Sequence, residues 1–292
     1  MFAKAYQIAS NYTQPVLIST LRFDGTVECS IGTFVIVNAE GWIVTAAHIF
    51  EIMTAHQRDI AEINQYNQAV SEIENNTYLS FNDKKKRLAK ISFNPKWIRT
   101  YSYWWGADYH GIDNIHLLNE NDLAIGKLTN YNPQFCAEYP TFKRPENLLL
   151  GTSLCKLGYP FHEVNASFNE ATNAFQIAPN ALPIPRFPID GIFTREVLMA
   201  TTENSPYEIK FIETSTPGFR GQSGGPIFDT AGNIWAIQSR TAHLSLGFSP
   251  KIVVNQKEVI EHQFINVGMG VHIETILKML DANSVRYKLS EA

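Results

Sequence analysis

From Val16 to His48 short apolar runs alternate with turn residues: Val16 to Phe23, then Asp24-Gly25, Thr33 to Val37, Glu40-Gly41, and Trp42 to Thr45. Asp-Gly and Glu-Gly steps between β-rich runs predict hairpins. The same texture returns after Leu148, with runs at Ser153 to Leu157, Gly191 to Leu198, Glu208 to Glu213, Ile234 to Gln238 and Phe264 to Val271. Two mostly β halves are expected, residues 1–135 and 136–292. The first is interrupted over about 51–110. There Ile60, Ile63, Val70 and Ile73 recur at helical spacing, and Asn82-Asp83 is placed to cap a second short helix ending near Ile91, so 51–91 reads as a helical insertion. A dense aromatic patch follows, Tyr101, Tyr103, Trp104, Trp105 and Tyr109, suited to anchoring the insertion on the barrel or to gripping a partner or peptide. Ile273, Ile276, Leu277 and Leu280 recur at helical spacing and predict an amphipathic closing helix over about 272–282.

Composition narrows the function. The 292 residues are 45% hydrophobic, enough for a packed core. A net charge of −4 leaves no electrostatic footprint for nucleic acid or an anionic membrane, so neither is expected as a partner. The basic run Lys84-Lys85-Lys86-Arg87 reads as a solvated helix face. Met1 to Thr20 mixes Lys4, Gln7, Asn11, Gln14 and Pro15 into its apolar residues, unlike the core of a signal peptide, and no later stretch reaches membrane-spanning length. Cys29, Cys136 and Cys155 lie far apart without metal-ligand spacing, which argues against a zinc site or a disulfide framework and for a reducing, cytoplasmic location.

Three local contexts carry chemistry. Gly218-Phe219-Arg220-Gly221-Gln222-Ser223-Gly224-Gly225-Pro226 surrounds one serine with glycines, which permit unusual backbone angles and close approach of a substrate. Ser223 is the expected nucleophile, with the Gly221 and Ser223 N–H groups forming an oxyanion hole. Thr45-Ala46-Ala47-His48 places an imidazole where a strand gives way to a short helix, and Asn121-Asp122-Leu123-Ala124-Ile125 sets a carboxylate at the head of an apolar strand. Any one of these has an ordinary structural explanation. Together, in the order His, Asp, Ser, they supply a base, its orienting acid and a nucleophile.

These three segments resemble the signatures of trypsin-like serine proteases. Leu157-Gly158-Tyr159-Pro160-Phe161, Gly191-Ile192, Phe211-Ile212-Glu213-Thr214 and Gly268-Met269-Gly270-Val271-His272-Ile273 are most similar to bacterial HtrA-like members. The resemblance implies the all-β chymotrypsin fold: two six-stranded β-barrels with a cleft between them, the first bearing His48 and Asp122 and the second Ser223. It implies a serine endopeptidase that uses an acyl-enzyme intermediate, takes a protein or peptide substrate and needs no metal or organic cofactor. The departures are informative. Gln222 stands where digestive trypsins carry an Asp that pairs with a new N-terminus, so activation by N-terminal cleavage is not expected. Ile49 and Phe219 occupy positions where secreted members have cysteines, and the peptide-binding PDZ domain of HtrA-like chains is not expected after the closing helix. His48 and Asp122 lie 74 residues apart, longer than the family's usual linker, and the insertion accounts for the excess.

The expected substrate pocket is Pro217, Gly218, Ser239 and Arg240. Pro217 replaces the Asp by which trypsins select Arg or Lys, so no basic preference is expected. The resemblance also implies that Ser239 supports Asp122 by a hydrogen bond, as a serine in that strand does in the family. Two other readings compete. Gly221-x-Ser223-x-Gly225 also fits the nucleophile elbow of a serine esterase of the α/β-hydrolase type, but that fold needs its acid and histidine after the serine. A protease fold serving as a binding or sensor protein with latent activity is the second. On either protease reading, the 51–110 insertion is expected to regulate or direct the activity, or to receive a regulatory protein partner.

Overall fold

The computed structural model describes residues 1–106, 111–200, 206–255 and 257–291. Helix α1 (Ala3–Tyr12) runs directly into β1 (Thr13–Arg22). Then come β2 (Val27–Ile36), β3 (Trp42–Thr45), helices α2 (Glu51–Glu74) and α3 (Phe81–Leu88), β4 (Ile98–Trp105), β5 (Ile112–Leu118) and β6 (Leu123–Leu128). Next are β7 (Thr141–Phe142), β8 (Ser153–Gly158), β9 (Ala166–Asn169), β10 (Ala174–Ile177), β11 (Phe187–Ala200) and β12 (Ile209–Thr214). The chain finishes with β13 (Pro226–Phe228), β14 (Ile234–Ser245), β15 (Lys251–Val254), β16 (Lys257–Ile260), β17 (Phe264–His272), α4 (Ile273–Ala282) and β18 (Lys288–Leu289).

Two antiparallel sheets dominate. The first has six strands in the order β4-β1-β2-β3-β6-β5, with hairpin turns at Gly25 and Gly41, both at φ 83°. In the second, β13, β8, β11, β12, β17 and β14 pair in sequence and β13 pairs again with β14, which closes a six-stranded barrel. The short parallel strands β7 and β18 extend this sheet beyond β14. A closed antiparallel barrel is unlike the helix-flanked parallel sheet of an α/β-hydrolase. One hydrophobic cluster runs through both sheets, including Phe34, Ile43 and Ile125 of the first and Leu157, Phe211 and Val271 of the second. The two sheets thereby pack against one another through a shared core.

Several elements differ from the sequence expectations. Helix α1 was not foreseen; Ala5, Ala9 and Tyr12 line up on its buried face, and Tyr12 Oη donates to Gly232 O at 3.2 Å. The cap of α3 is Ser80, whose Oγ accepts the Asp83 N–H, so the helix starts ahead of Asn82-Asp83 and ends at Leu88 rather than near Ile91. On α2 the inward residue is Asp59, not Ile60: Asp59 Oδ2 accepts the Ile98 N–H at 2.8 Å, and that bond turns Ile60 to solvent. The chain continues past α4 into β18 instead of closing on the helix.

The aromatic patch anchors the insertion. It forms β4, which pairs with β1, and Trp105 is fully buried against Phe34 and Phe50 with ring centroids 5.3 and 5.5 Å away. Tyr103 Oη donates to Ile49 O at 2.8 Å. Tyr109 lies outside the described residues. Trp105→Ala should cost about 3 kcal/mol in urea unfolding, the usual scale for emptying a large core site. Trp105→Phe should cost much less, because it also removes a buried indole N–H that has no acceptor among the described residues.

Candidate active site

His48 stands in the one-turn 3₁₀ helix Ala47–Phe50 that breaks the chain out of β3. Its backbone N–H donates to Asp122 Oδ1 at 2.9 Å, and its Nδ1 lies 2.9 Å from both carboxylate oxygens. Asp122 occupies the left-handed region at φ 55°, between a 3₁₀ turn and β6, and is buried. Asn121 Nδ2 fixes that turn by donating to Glu208 O at 2.6 Å. From the other sheet, Ser239 Oγ donates to Asp122 Oδ2 at 2.5 Å. A carboxylate against Nδ1 keeps the imidazole proton there and leaves Nε2 as the basic nitrogen.

The charges follow from these contacts. Burial pushes His48 toward the neutral form, but the hydrogen bond and charge of Asp122 outweigh it and hold the imidazole above its ordinary pKa of 6.5. Burial likewise pushes Asp122 up, yet hydrogen bonds and charge from His48, with the Ser239 hydroxyl, hold it below the ordinary 3.8. Asp122 is therefore ionised at neutral pH.

Ser223 is half-buried in the loop before β13. Gly221 has φ 90°, and a Cβ there would lie 2.3 Å from Tyr159 O; Gly224 has φ 84°, and a Cβ would lie 2.1 Å from Thr33 O. The loop is held by Thr33, whose N–H donates to Ser223 O at 2.9 Å and whose Oγ1 donates to Gly221 O at 2.6 Å. The Gly221 and Ser223 N–H groups donate to no acceptor among the described residues, so both are free for an anion. His48, Gly221 and Ser223 line one cleft of about 1070 Å³. Ser223 and His48 face that cleft without a hydrogen bond between them.

The four expected pocket residues do not line this cleft. Ser239 supports Asp122 as expected. Arg240 is exposed, its guanidinium 4.8 Å from the Phe211 ring centroid. Gly218 is bridged to Thr241, whose Oγ1 accepts the Gly218 N–H at 3.0 Å and donates to Gly218 O at 2.7 Å. Pro217 O accepts from Lys156 Nζ at 3.0 Å, and the same ammonium donates to Thr216 O. Burial pushes the Lys156 pKa down to about 7. Sequence reasoning missed Thr33, Lys156 and Thr241; only Lys156 left a signal, as a lone cation inside the apolar run Ser153 to Leu157. No group of three His, Cys, Asp or Glu converges among the described residues in a way that could hold a metal ion.

Residues 32–237 match the trypsin-like peptidase domain family. The chain belongs to that family, and its fold is the chymotrypsin fold. Among solved structures it is similar to the HtrA-type protease AlgW with tripeptide, at 16% identity and a TM-score of 0.47, over 97% of this chain and 63% of that one. A serine-to-alanine variant of AlgW with decapeptide gives 13% identity and a TM-score of 0.47, over 97% of this chain and 68% of that one. This chain therefore spans less than two thirds of the AlgW chain in the first comparison. No curated protein matches it. Among the described residues no helix is long and apolar enough to cross a membrane.

The His48 imidazole should titrate above 6.5 in a proton NMR experiment. Asp122→Asn removes the charge that stabilises the imidazolium, so the midpoint should fall below the wild-type value. An unchanged midpoint would separate His48 from Asp122.

Proposed function

We propose that this chain is a serine endopeptidase in which Ser223 is the nucleophile, His48 the general base and acid, and Asp122 the residue that orients His48. The observation carrying this reading is that a carboxylate-held imidazole and a serine whose N–H, like that of Gly221, has no acceptor among the described residues open onto one cleft. His48 Nε2 takes the Ser223 proton as Oγ attacks the peptide carbonyl, and the Gly221 and Ser223 N–H groups receive the oxyanion. His48 then protonates the leaving amine. Water, deprotonated by the same histidine, releases the acid product.

The Gly218–Thr241 bridge favours a second reading of the resting state. It ties Gly218 to the residue that follows Ser239–Arg240, the two segments proposed to receive the side chain before the cleaved bond. Either that side chain is small or binding must part the bridge, which makes latent activity under a partner's control the alternative. Residues 51–110 are the proposed seat of that control, since α2 continues directly from the turn that carries His48. Replacing residues 76–92 with a short glycine-serine linker should change turnover of protein substrates; unchanged turnover and substrate choice would remove the insertion from regulation. All three cysteines are free thiols, which supports a reducing compartment such as the cytoplasm.

A fluorophosphonate probe should add one adduct to the wild type by intact mass and none to Ser223→Ala or His48→Ala. Asp122→Asn should fold normally and lose turnover on the order of 10⁴-fold. A folded wild type that takes no label would leave the binding or sensor role in its place.

A further inference from the structure

One wall of the cleft is an aromatic cluster that the mechanism does not use. Phe161 from the turn after β8, Phe187 at the start of β11 and Phe219 from the nucleophile loop meet with ring centroids 5.2, 5.0 and 6.3 Å apart. Phe161 and Phe219 line the same cleft as His48 and Ser223. The rings are not core: Phe161 is 71% exposed and Phe187 39%. Phe161 nevertheless sits at φ 63°, a left-handed backbone that a bulky residue adopts only where its surroundings impose it.

The surroundings are built for it. The buried Gln222, next to the nucleophile, accepts the Phe219 N–H at 3.0 Å through Oε1 and reaches Phe187 O at 3.4 Å through Nε2. The Tyr159 N–H donates to Gly221 O at 2.9 Å, so the Phe161 turn is pinned to the segment that carries Ser223. Direction follows from what the cleft omits. It extends from His48 and Ser223 toward Cys29–Ile31 and Tyr159–Ala166 and is not lined by Gly218, Ser239 or Arg240, the expected seat of the side chain before the cleaved bond. With the side chain before the cut assigned to that expected seat, a peptide laid across Ser223 carries its leaving-group side past the rings.

We propose that Phe161, Phe187 and Phe219 form the subsite for an apolar or aromatic side chain within the three residues that follow the cleaved bond. The proposal rests on the peptidase reading, and its occupant is the substrate's own chain because the rings continue the catalytic cleft. Aromatic rings held by backbone bonds present apolar area at low entropic cost, which suits selection by a side chain rather than by main-chain contacts.

The test digests a library of denatured-proteome peptides with the full chain and locates the cuts by mass spectrometry, alongside fluorophosphonate labelling of each protein. Wild type should enrich Phe, Tyr, Leu or Met within three residues after the cut. For matched peptides differing only there, Leu against Ser, the ratio of kcat/KM should be about tenfold, the scale of a hydrophobic pocket's discrimination. Phe161→Gly, which suits the backbone, and Phe187→Ala should still take the label while that ratio falls toward one. A wild type that cuts without such enrichment, enrichment confined to the residue before the cut, or variants that keep the preference would overturn the subsite with the peptidase reading intact. A wild type that neither cuts nor takes label would overturn both.

Discussion

The arrangement depends most on the buried carboxylate of Asp122. An ionised carboxylate out of water is costly unless its oxygens are filled with donors, and here the donors come from both sheets. The His48 backbone and ring supply those of the first, and Ser239 of β14 supplies that of the second. The left-handed backbone at Asp122 aims the side chain into this junction. Orientation of the imidazole and docking of the two sheets are thus one condition: a sheet out of place would leave a buried charge short of a donor.

Thr33 performs the corresponding task at the Ser223 loop. Its N–H and hydroxyl hold the carbonyls of Ser223 and Gly221, and its own carbonyl accepts the Thr45 hydroxyl three residues before His48. One residue of β2 therefore sets the histidine strand and the serine loop against each other. With the two loop carbonyls turned to Thr33 and Tyr159, the Gly221 and Ser223 N–H groups have no acceptor among the described residues, the preorganisation that the proposed oxyanion site needs. Lys156 adds a brace further back by tying down Thr216 and Pro217 at the entrance to the loop.

What the sequence made legible follows from range. Trp42 to Thr45 and Ser153 to Leu157 were readable as strands because alternation and turn residues are local properties, and the three chemical segments were readable because each is a short motif. The Ser239 contact with Asp122 was reachable only through a family resemblance. Helix α1 was missed because its buried face is mostly alanine, which gives little periodic contrast. On α2 the expected face holds at Ile63, Val70 and Ile73, which are half-buried, but at its N-terminal half Asp59 faces inward in place of Ile60, where its carboxylate accepts the Ile98 N–H, a partner 39 residues away. Thr33 and Thr241 bear no local mark, since their partners lie 188 and 23 residues away and exist only once the loops are folded.

The same long-range contacts shape selectivity. On the proposed reading the Gly218–Thr241 bridge ties together the segments that would receive the side chain before the cut, and a small side chain there contributes little binding energy. Energy to position the scissile carbonyl must then come from elsewhere along the peptide, because remote contacts are what hold a reacting centre in place. On the open side, the rings at Phe161, Phe187 and Phe219 form the proposed surface, and Gln222, which precedes Ser223, is hydrogen-bonded to the backbone of two of them. Gln222 thus takes a role different from that of the trypsin aspartate at the same position. Its side chain is hydrogen-bonded to the Phe219 N–H and to Phe187 O, which ties the geometry of the loop to the aromatic wall of the cleft.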